Sequence, residues 1–425
     1  MDQSQESEPG SLDRLSDLPD SLILEILSLL SSSIRDVVRT TILSKRWKDL
    51  WTTVPRFKYD FRDEDPNFIR GALVQWKGAK ILDFSLCFIH NDPPSSDIID
   101  SLLLLAMEKQ VEELTVDLKP SMSMEYYAPQ RLYSCSSITR LCLSYCSVQI
   151  KENVQWNQLV SLTLEHVDSV KVSSVTMSQI LSGAPRLEQL ILWPLEVNED
   201  FYIVSTSLKF LEIGLGDYNH SVVYEILGIW APNLLFLEFS GDIYGICFLD
   251  VPSLTHARLD FIDEPPPLET FDYLLWSIRH VTDLTLSDVG IQLLHEMKEK
   301  DMFVQFSNVT FLNVTTSKVE KMLNVLDMFP QLVTLYAELD ELGSNMDQEF
   351  DEANATFSTS SLLHLKTVHI AWYLCDALIL PFLKIILENA RVLEEIVFRW
   401  KGNPEMLPGL PDLWESYQTT DLIFI

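Results

Sequence analysis

One pattern recurs along most of this chain: an apolar residue, two of any kind, an apolar residue, any residue, another apolar residue. Clear instances are ITRLCL (138–143), LVSLTL (159–164), LEQLIL (187–192), LKFLEI (208–213), LLFLEF (234–239), VTDLTL (281–286), VTFLNV (309–314) and LEEIVF (393–398). In a sequence that is 47% hydrophobic, three apolar sites coincide by chance in about one window in ten, so a single match decides nothing. The spacing decides. The central residues fall at Phe84, Leu114, Leu141, Leu162, Leu190, Leu211, Leu237, Ala257, Leu284, Leu312, Leu335, Val368 and Ile396, at steps of 20 to 33 residues. Repetition at that period predicts an array in which each unit gives one short strand and a return leg. No unit can bury its apolar face alone, and stacking creates one continuous core.

The return legs carry helical patterns, several closed by a proline: VTMSQILSGAP, YEILGIWAP, EKMLNVLDMFP and LPFLKIILENA. A proline after the last turn stops a helix cleanly. A doubly wound parallel sheet also alternates strands and helices. Its glycine-rich strand-to-helix turn is not found here, and the strands are short, so the reading is an irregular leucine-rich-repeat array.

The first sixty residues differ. A polar leader, expected to be disordered over residues 1–11, precedes LSDLPDSLILEILSLL, where Asp17 reads as a helix cap and Pro19 as a first-turn residue. Leu22, Ile23, Ile26, Leu27, Leu29 and Leu30 cover more than half of that helix, which must be buried on two sides or docked on a partner. Ser33 reads as the cap of a second helix bearing Ile34, Val37, Val38 and Ile42. Ser44 reads as the cap of a third, where Trp47, Leu50 and Trp51 share a face. Three short helices have little core of their own and are expected to lean on a neighbour. Lys45, Arg46 and Lys48 are too few for a nuclear-targeting or nucleic-acid patch and serve to keep the other face in water.

Charge separates the two parts as well. Residues 1–62 hold nine bases and ten acids, and the remainder 22 bases and 52 acids, within a net charge of −31. An acidic body argues against nucleic-acid binding and against docking on anionic lipid, both of which need clustered cations. MDQSQESEPG has neither the basic nor the apolar segment of a secretory signal, and no apolar run approaches a membrane span. Six scattered cysteines, Cys87, Cys135, Cys142, Cys146, Cys247 and Cys375, fit reduced thiols, hence cytoplasm or nucleus.

The residues LPDSLILEIL and RDVVRTTILSKRWKDLW resemble a plant-type F-box, and LYSCSSITRLCLSYC and LSGAPRLEQLIL resemble the leucine-rich region that follows it in many plant proteins. In LSGAPRLEQLIL, Ala184 stands where a cysteine is common before the proline, and LKTVHIAWYLCDALILPFLKIILENARVLEEIVF is similar to the FBD region that closes that subfamily. The resemblance implies an α/β chain with a small three-helix F-box followed by an irregular leucine-rich-repeat solenoid whose parallel sheet lines its concave face. It divides the chain into an F-box module with its link (12–62), repeats (63–337), an acidic loop (338–360), FBD-like terminal repeats (361–400) and an unassigned tail (401–425). It implies docking on a Skp-type adaptor and, through it, a cullin, with Leu18 and Pro19 beginning the contact, Ile23, Leu27, Val38 and Leu43 supplying apolar surface, and Trp47 anchoring the third helix. The SLLSSSIRD loop departs from the family, which has a shorter proline-containing turn there.

Catalytic signatures are missing. GxSxG, HExxH, P-loop and dinucleotide glycine patterns do not occur. Cys142 and Cys146 have no second pair to complete a zinc site, and His364 and His369 fall on opposite faces of a predicted strand. The expectation is an adaptor with no cofactor, no metal and no catalytic residue, whose variable strand residues (Thr139, Arg140, Cys142 and Ser144 in one unit, Ser161, Thr163 and Glu165 in the next) face a protein substrate of unknown identity. Two other classes stay open: a small-molecule, hormone-like receptor, and a ubiquitin-independent scaffold whose first helices merely cap the array.

Overall fold

The computed structural model describes residues 15, 18–30, 34–60, 65–88, 95–118, 126–167, 172–195, 199–215, 226–241, 245–262, 265–302, 304–339, 362–372, 376–400 and 421–424. The chain divides into two compact units, Met1–Asp168 with Ser182–Arg186, and Ser169–Leu181 with Leu187–Ile425.

The first unit opens with α1 (Asp20–Leu29), α2 (Ile34–Arg39) and α3 (Lys45–Leu50), with single 3-10 turns at Thr40–Ile42 and Trp51–Thr53. Pro19 stands just before α1 rather than inside its first turn. Its carbonyl accepts from Leu22 N and Ile23 N at 3.0 and 3.1 Å, so the ring fixes the extended entry while the oxygen starts the helix. Asp17 and Ser33, two of the three expected caps, lie outside the described residues. Ser44 is at the cap position of α3 with extended backbone, yet its hydroxyl makes no capping bond.

Strand β1 (Arg56–Asp60) follows, then α4 (Pro66–Gln75), β2 (Asp83–Cys87), α5 (Ser96–Glu108), β3 (Glu113–Asp117), β4 (Arg140–Ser144) and β5 (Ser161–Glu165). All five strands pair in parallel and in sequence order, with Phe57, Phe84, Leu114, Leu141 and Leu162 as successive partners. The last four are the central residues of the sequence pattern. Helix α5 shows how a return leg closes the core: Ile99, Leu102, Leu103, Ala106 and Met107 recur at helical spacing and are all buried.

The second unit carries α6 (Ser174–Gly183, whose last two residues belong to the first unit), β6 (Gln189–Leu195), β7 (Phe201–Val204), β8 (Phe210–Leu215), β9 (Ile226–Trp230), β10 (Phe236–Ser240), β11 (Ile246–Asp250) and β12 (His256–Asp260). It continues with α7 (Leu268–Ile278), β13 (Asp283–Leu286), α8 (Asp288–Glu299), β14 (Phe311–Thr316), α9 (Val319–Val325), β15 (Thr334–Leu339), β16 (Thr367–Trp372), α10 (Asp376–Asn389), β17 (Glu395–Trp400) and β18 (Asp421–Phe424). Ten of these strands form a parallel ladder in the order β6, β8, β10, β12 and then β13 to β18. Leu190, Leu211, Leu237, Ala257, Leu284, Leu312, Leu335, Val368, Ile396 and Leu422 are successive partners along it. The corner before each strand repeats one bond: Leu235 N donates to Lys209 O, Thr255 N to Leu235 O, Thr282 N to Thr255 O, Thr310 N to Thr282 O and Val333 N to Thr310 O, at 2.8 to 3.0 Å. Backbone donors at the sheet margin are thereby satisfied by the preceding repeat.

Two differences from the sequence reading matter here. YEILGIWAP, expected as a helix, holds strand β9, which pairs with β7 and β11 in a second, three-stranded parallel sheet. The tail from 401 on, unassigned from sequence, contributes β18 to the main ladder. Residues 340–360 of the acidic loop, the leader and Cys375 lie outside the described residues.

Candidate functional site

The amino-terminal helices present two kinds of apolar residue. Ile23 and Leu27 on α1 are fully buried, and Trp47 on α3 is 2% exposed; together they form the interior of the small bundle. Leu22, Ile26 and Leu29 recur at i, i+4 and i+7 on another face of α1, and Leu22 and Leu29 are 45% and 80% exposed. Ile42 at 86% and Leu43 at 48% extend the exposed set, Pro19 is exposed, and Leu18 and Val38 are half-buried. Of the residues expected at the contact, Pro19 and Leu43 are therefore reachable, and Leu18 and Val38 partly so. Ile23 and Leu27 are not reachable, because they fill the space between helices. Sequence reasoning missed Leu22, Leu29 and Ile42 as exposed positions; the signal was the breadth of the apolar arc on α1, too wide for a bundle with one inner face.

The module is also tied to the first repeat. Trp51 and Val54 are buried, Trp76 Nε1 donates to Val54 O at 2.8 Å, and Lys77 N donates to Thr52 O at 2.7 Å. Arg46 holds the start of α1 by a bond from Nε to Asp20 Oδ1 of 2.6 Å, an exposed pair that contributes at most about 1 kcal/mol. Lys45 and Lys48 are exposed.

The outward side chains of the strands make the second candidate surface. In the first unit Arg140 is exposed and pairs with Glu113, while Thr139, Cys142, Ser161, Thr163 and Glu165 are half-buried. Ser144, expected to face solvent, is 3% exposed and donates to Glu165 at 2.9 Å, so Glu165 closes over it. In the second unit Phe210 stacks on Phe236 at 4.8 Å, Phe236 on His256 at 6.1 Å, and His256 lies 3.6 Å from Asp283. Arg258 pairs with Glu238 at 3.3 Å, and Tyr336 stacks on His369 at 5.3 Å. Neighbouring strands are about 4.8 Å apart, so equivalent positions stack into rows of like or complementary groups.

Chemistry of the reactive kind is poorly supported by these environments. Burial pushes the Cys142 thiol up to about 11 and Cys247 up to about 12, and it raises Cys146 further still. Such thiols stay protonated and unreactive at neutral pH. His369 is half-buried in β16 and His364 is exposed in the turn before it. Among the described residues no group of three His, Cys, Asp or Glu side chains is placed to hold a metal ion, and no helix is long and apolar enough to cross a membrane.

A small helical module followed by parallel strands in register at irregular steps of 20 to 33 residues describes the F-box proteins with leucine-rich repeats. Family comparison gives that class from the sequence side: the F-box domain matches residues 15–59, and "FBD-associated F-box protein At5g56370, LRR repeats" matches residues 99–337, more than half of the chain. The chain belongs to this FBD-associated F-box, leucine-rich-repeat family. Among its relatives in Arabidopsis thaliana, the F-box/LRR-repeat protein At3g26922 is 33% identical over 58% of this chain and 82% of its own. The FBD-associated F-box protein At5g22730 is 26% identical over 91% and 87%, and the F-box/FBD/LRR-repeat protein At2g26030 is 25% identical over 91% and 92%.

Proposed function

We propose that the chain is the non-catalytic substrate-recognition subunit of a Skp-cullin-F-box ubiquitin ligase, acting in cytoplasm or nucleus. Residues 12–62 dock on the Skp-type adaptor and, through it, the cullin; the repeats of residues 63–337 and the FBD-like repeats of 361–400 hold a protein substrate. The observation that carries this reading is the exposure of Leu22, Leu29, Ile42 and Leu43 on a module whose Trp51 and Val54 are already used against the first repeat. A module that only capped the array would have no use for a second apolar face. Fully covering an exposed side chain of this size stabilises a complex by about 1.5–3 kcal/mol, and less for the half-covered Leu22 and Leu43, so the four together favour docking.

Leu18, Pro19, Val38 and Leu43 then act at the contact itself. Ile23, Leu27 and Trp47 act from within by fixing the spacing of α1 and α3. Transfer of ubiquitin is left to other subunits, and this chain supplies proximity and orientation. The test is a pull-down of a purified Skp-type adaptor by the full chain, compared with the double variant Ile42→Asp, Leu43→Asp. Both positions are solvent-exposed, so the variant keeps its circular dichroism spectrum while capture is lost. A folded wild-type chain that captures no adaptor sinks the proposal.

A further inference from the structure

The three-stranded sheet of the second unit has an outer face that the ligase reading does not use. Register puts Tyr202 beside Gly228, and Val204, Trp230 and Asp250 in one row. Strand alternation turns Phe201, Ile203, Leu227, Ile229 and Cys247 inward, where all are buried, and turns Tyr202, Val204 and Trp230 outward at 42%, 55% and 42% exposure. Helix α7 packs beside β11 and adds Asp272, Tyr273 and Trp276, the two rings 55% and 60% exposed. These residues enclose a groove of about 680 Å³. Its floor is Gly228, where a Cβ would come within 2.5 Å of Tyr202 Cδ1; the absence of a side chain lets the tyrosine ring lie across β9.

The composition of the groove selects its occupant. Four aromatic rings offer electron-rich faces, which attract a cation. Trp276 already accepts one: the guanidinium of Arg279 sits 4.2 Å from its ring centroid, on the flank shared with the neighbouring polar cleft. Asp250 and Asp272 line the groove without an ion pair or side-chain hydrogen bond among the described residues. A neutral apolar ligand would strip water from two carboxylates and return nothing, and an anion would be repelled by both. Walls this exposed do not enclose a small molecule as ligand pockets do, but they suit a chain segment laid across them.

We propose that this groove binds a short segment of a protein partner in which an arginine or lysine is flanked by an apolar residue, the cation lying among Tyr202, Trp230, Tyr273 and Trp276 with Asp250 and Asp272 facing its charge. The proposal rests on the reading that the repeats capture a protein, and it names the chemistry of what they capture.

The experiment presents the full chain to a randomised hexapeptide library and reads enrichment at each position. The wild type enriches peptides carrying Arg or Lys next to an apolar residue, and replacing that Arg by the neutral isostere citrulline weakens binding about tenfold, the value of a partly desolvated cation–π contact. The double variant Asp250→Asn, Asp272→Asn and the single variant Trp276→Ala, all at solvent-accessible positions, lose that discrimination. Enrichment of peptides without a basic residue, enrichment of none, or equal affinity for the arginine and citrulline forms overturns the proposal. Capture of the Skp-type adaptor is measured on the same proteins. Adaptor capture retained without peptide selectivity sinks the groove alone, whereas basic-peptide selectivity in a chain that captures no adaptor sinks the ligase reading and leaves the groove standing.

Discussion

Trp47 and Trp51, four residues apart beside three bases, read from sequence as one apolar helical face, and both rings are buried. What sequence could not provide is their hydrogen bonding. Among the described residues Trp47 Nε1 is buried with no partner, and Ser44, at the cap of the same helix, leaves its hydroxyl unused. An unpaired buried donor costs about 1–3 kcal/mol, so Trp47→Phe, which keeps most of the ring and removes the donor, should leave stability nearly unchanged. Trp47→Ala should cost about 3–5 kcal/mol by cavity formation; urea unfolding of the two variants separates packing from polarity. His295 gives a pH-dependent counterpart. Burial lowers its pKa from the ordinary 6.5, with Lys321 and Lys298 adding to the shift and Glu299 opposing it. Its Nδ1 is buried without a partner among the described residues. Folding thus favours the neutral ring: its stability contribution is complete above pH 6.5 and falls as the pH drops through and below that value, because the unfolded chain takes up the proton more readily. Thermal melts between neutral and mildly acidic pH should show a shallower decline for His295→Gln than for the wild type.

At the scale of elements, the strands of the main ladders were legible because their pattern repeats, and the second sheet was not. ILGIW in β9 is a short apolar run that suits a strand or a buried helix equally, and periodicity alone cannot separate them. Pairing decides it: β9 lies between β7 and β11, and Gly228, costly in a helix interior, is needed there to admit the Tyr202 ring. Helix α10 begins at Asp376 and carries Pro381 inside it, whereas the helical stretch read from sequence starts at Leu380. Repeats are also joined by side chains that no local pattern reveals. Asp288 at the start of α8 accepts from Thr316 Oγ1 at 2.6 Å and from Ser317 N at 3.0 Å, one repeat further on. The tail offers a direct test. Deleting residues 401–425 removes β18 and leaves β17 as an open edge with Ile396 to Phe398 at its centre. The truncated chain should melt at lower temperature and aggregate by light scattering, because an unpaired apolar edge templates further pairing.

For the whole molecule, the net charge of −31 is concentrated outside the first sixty residues and acts as self-repulsion in the folded state. Raising ionic strength from low to physiological should therefore raise the melting temperature as the repulsion is screened, and a fall would show that ion pairs such as Lys298–Asp327, 2.6 Å, outweigh it. The amino-acid sequence by itself determined the architecture, since a three-site apolar pattern recurring every 20 to 33 residues can be satisfied only by stacking, and every one of its central residues is on the register ladder of its unit. It also determined the presence of a separate helical module, through the change in charge and in periodicity. The tertiary structure alone decided which apolar residues of that module are spent inside, as Ile23 and Leu27 are, and which remain outside, as Ile42 and Leu29 do. It alone assembled the aromatic groove, whose rings come from residues 202, 230, 273 and 276. The reason is physical: periodic burial is written in local spacing, whereas exposure and convergence depend on partners far away in the chain, which spacing does not encode.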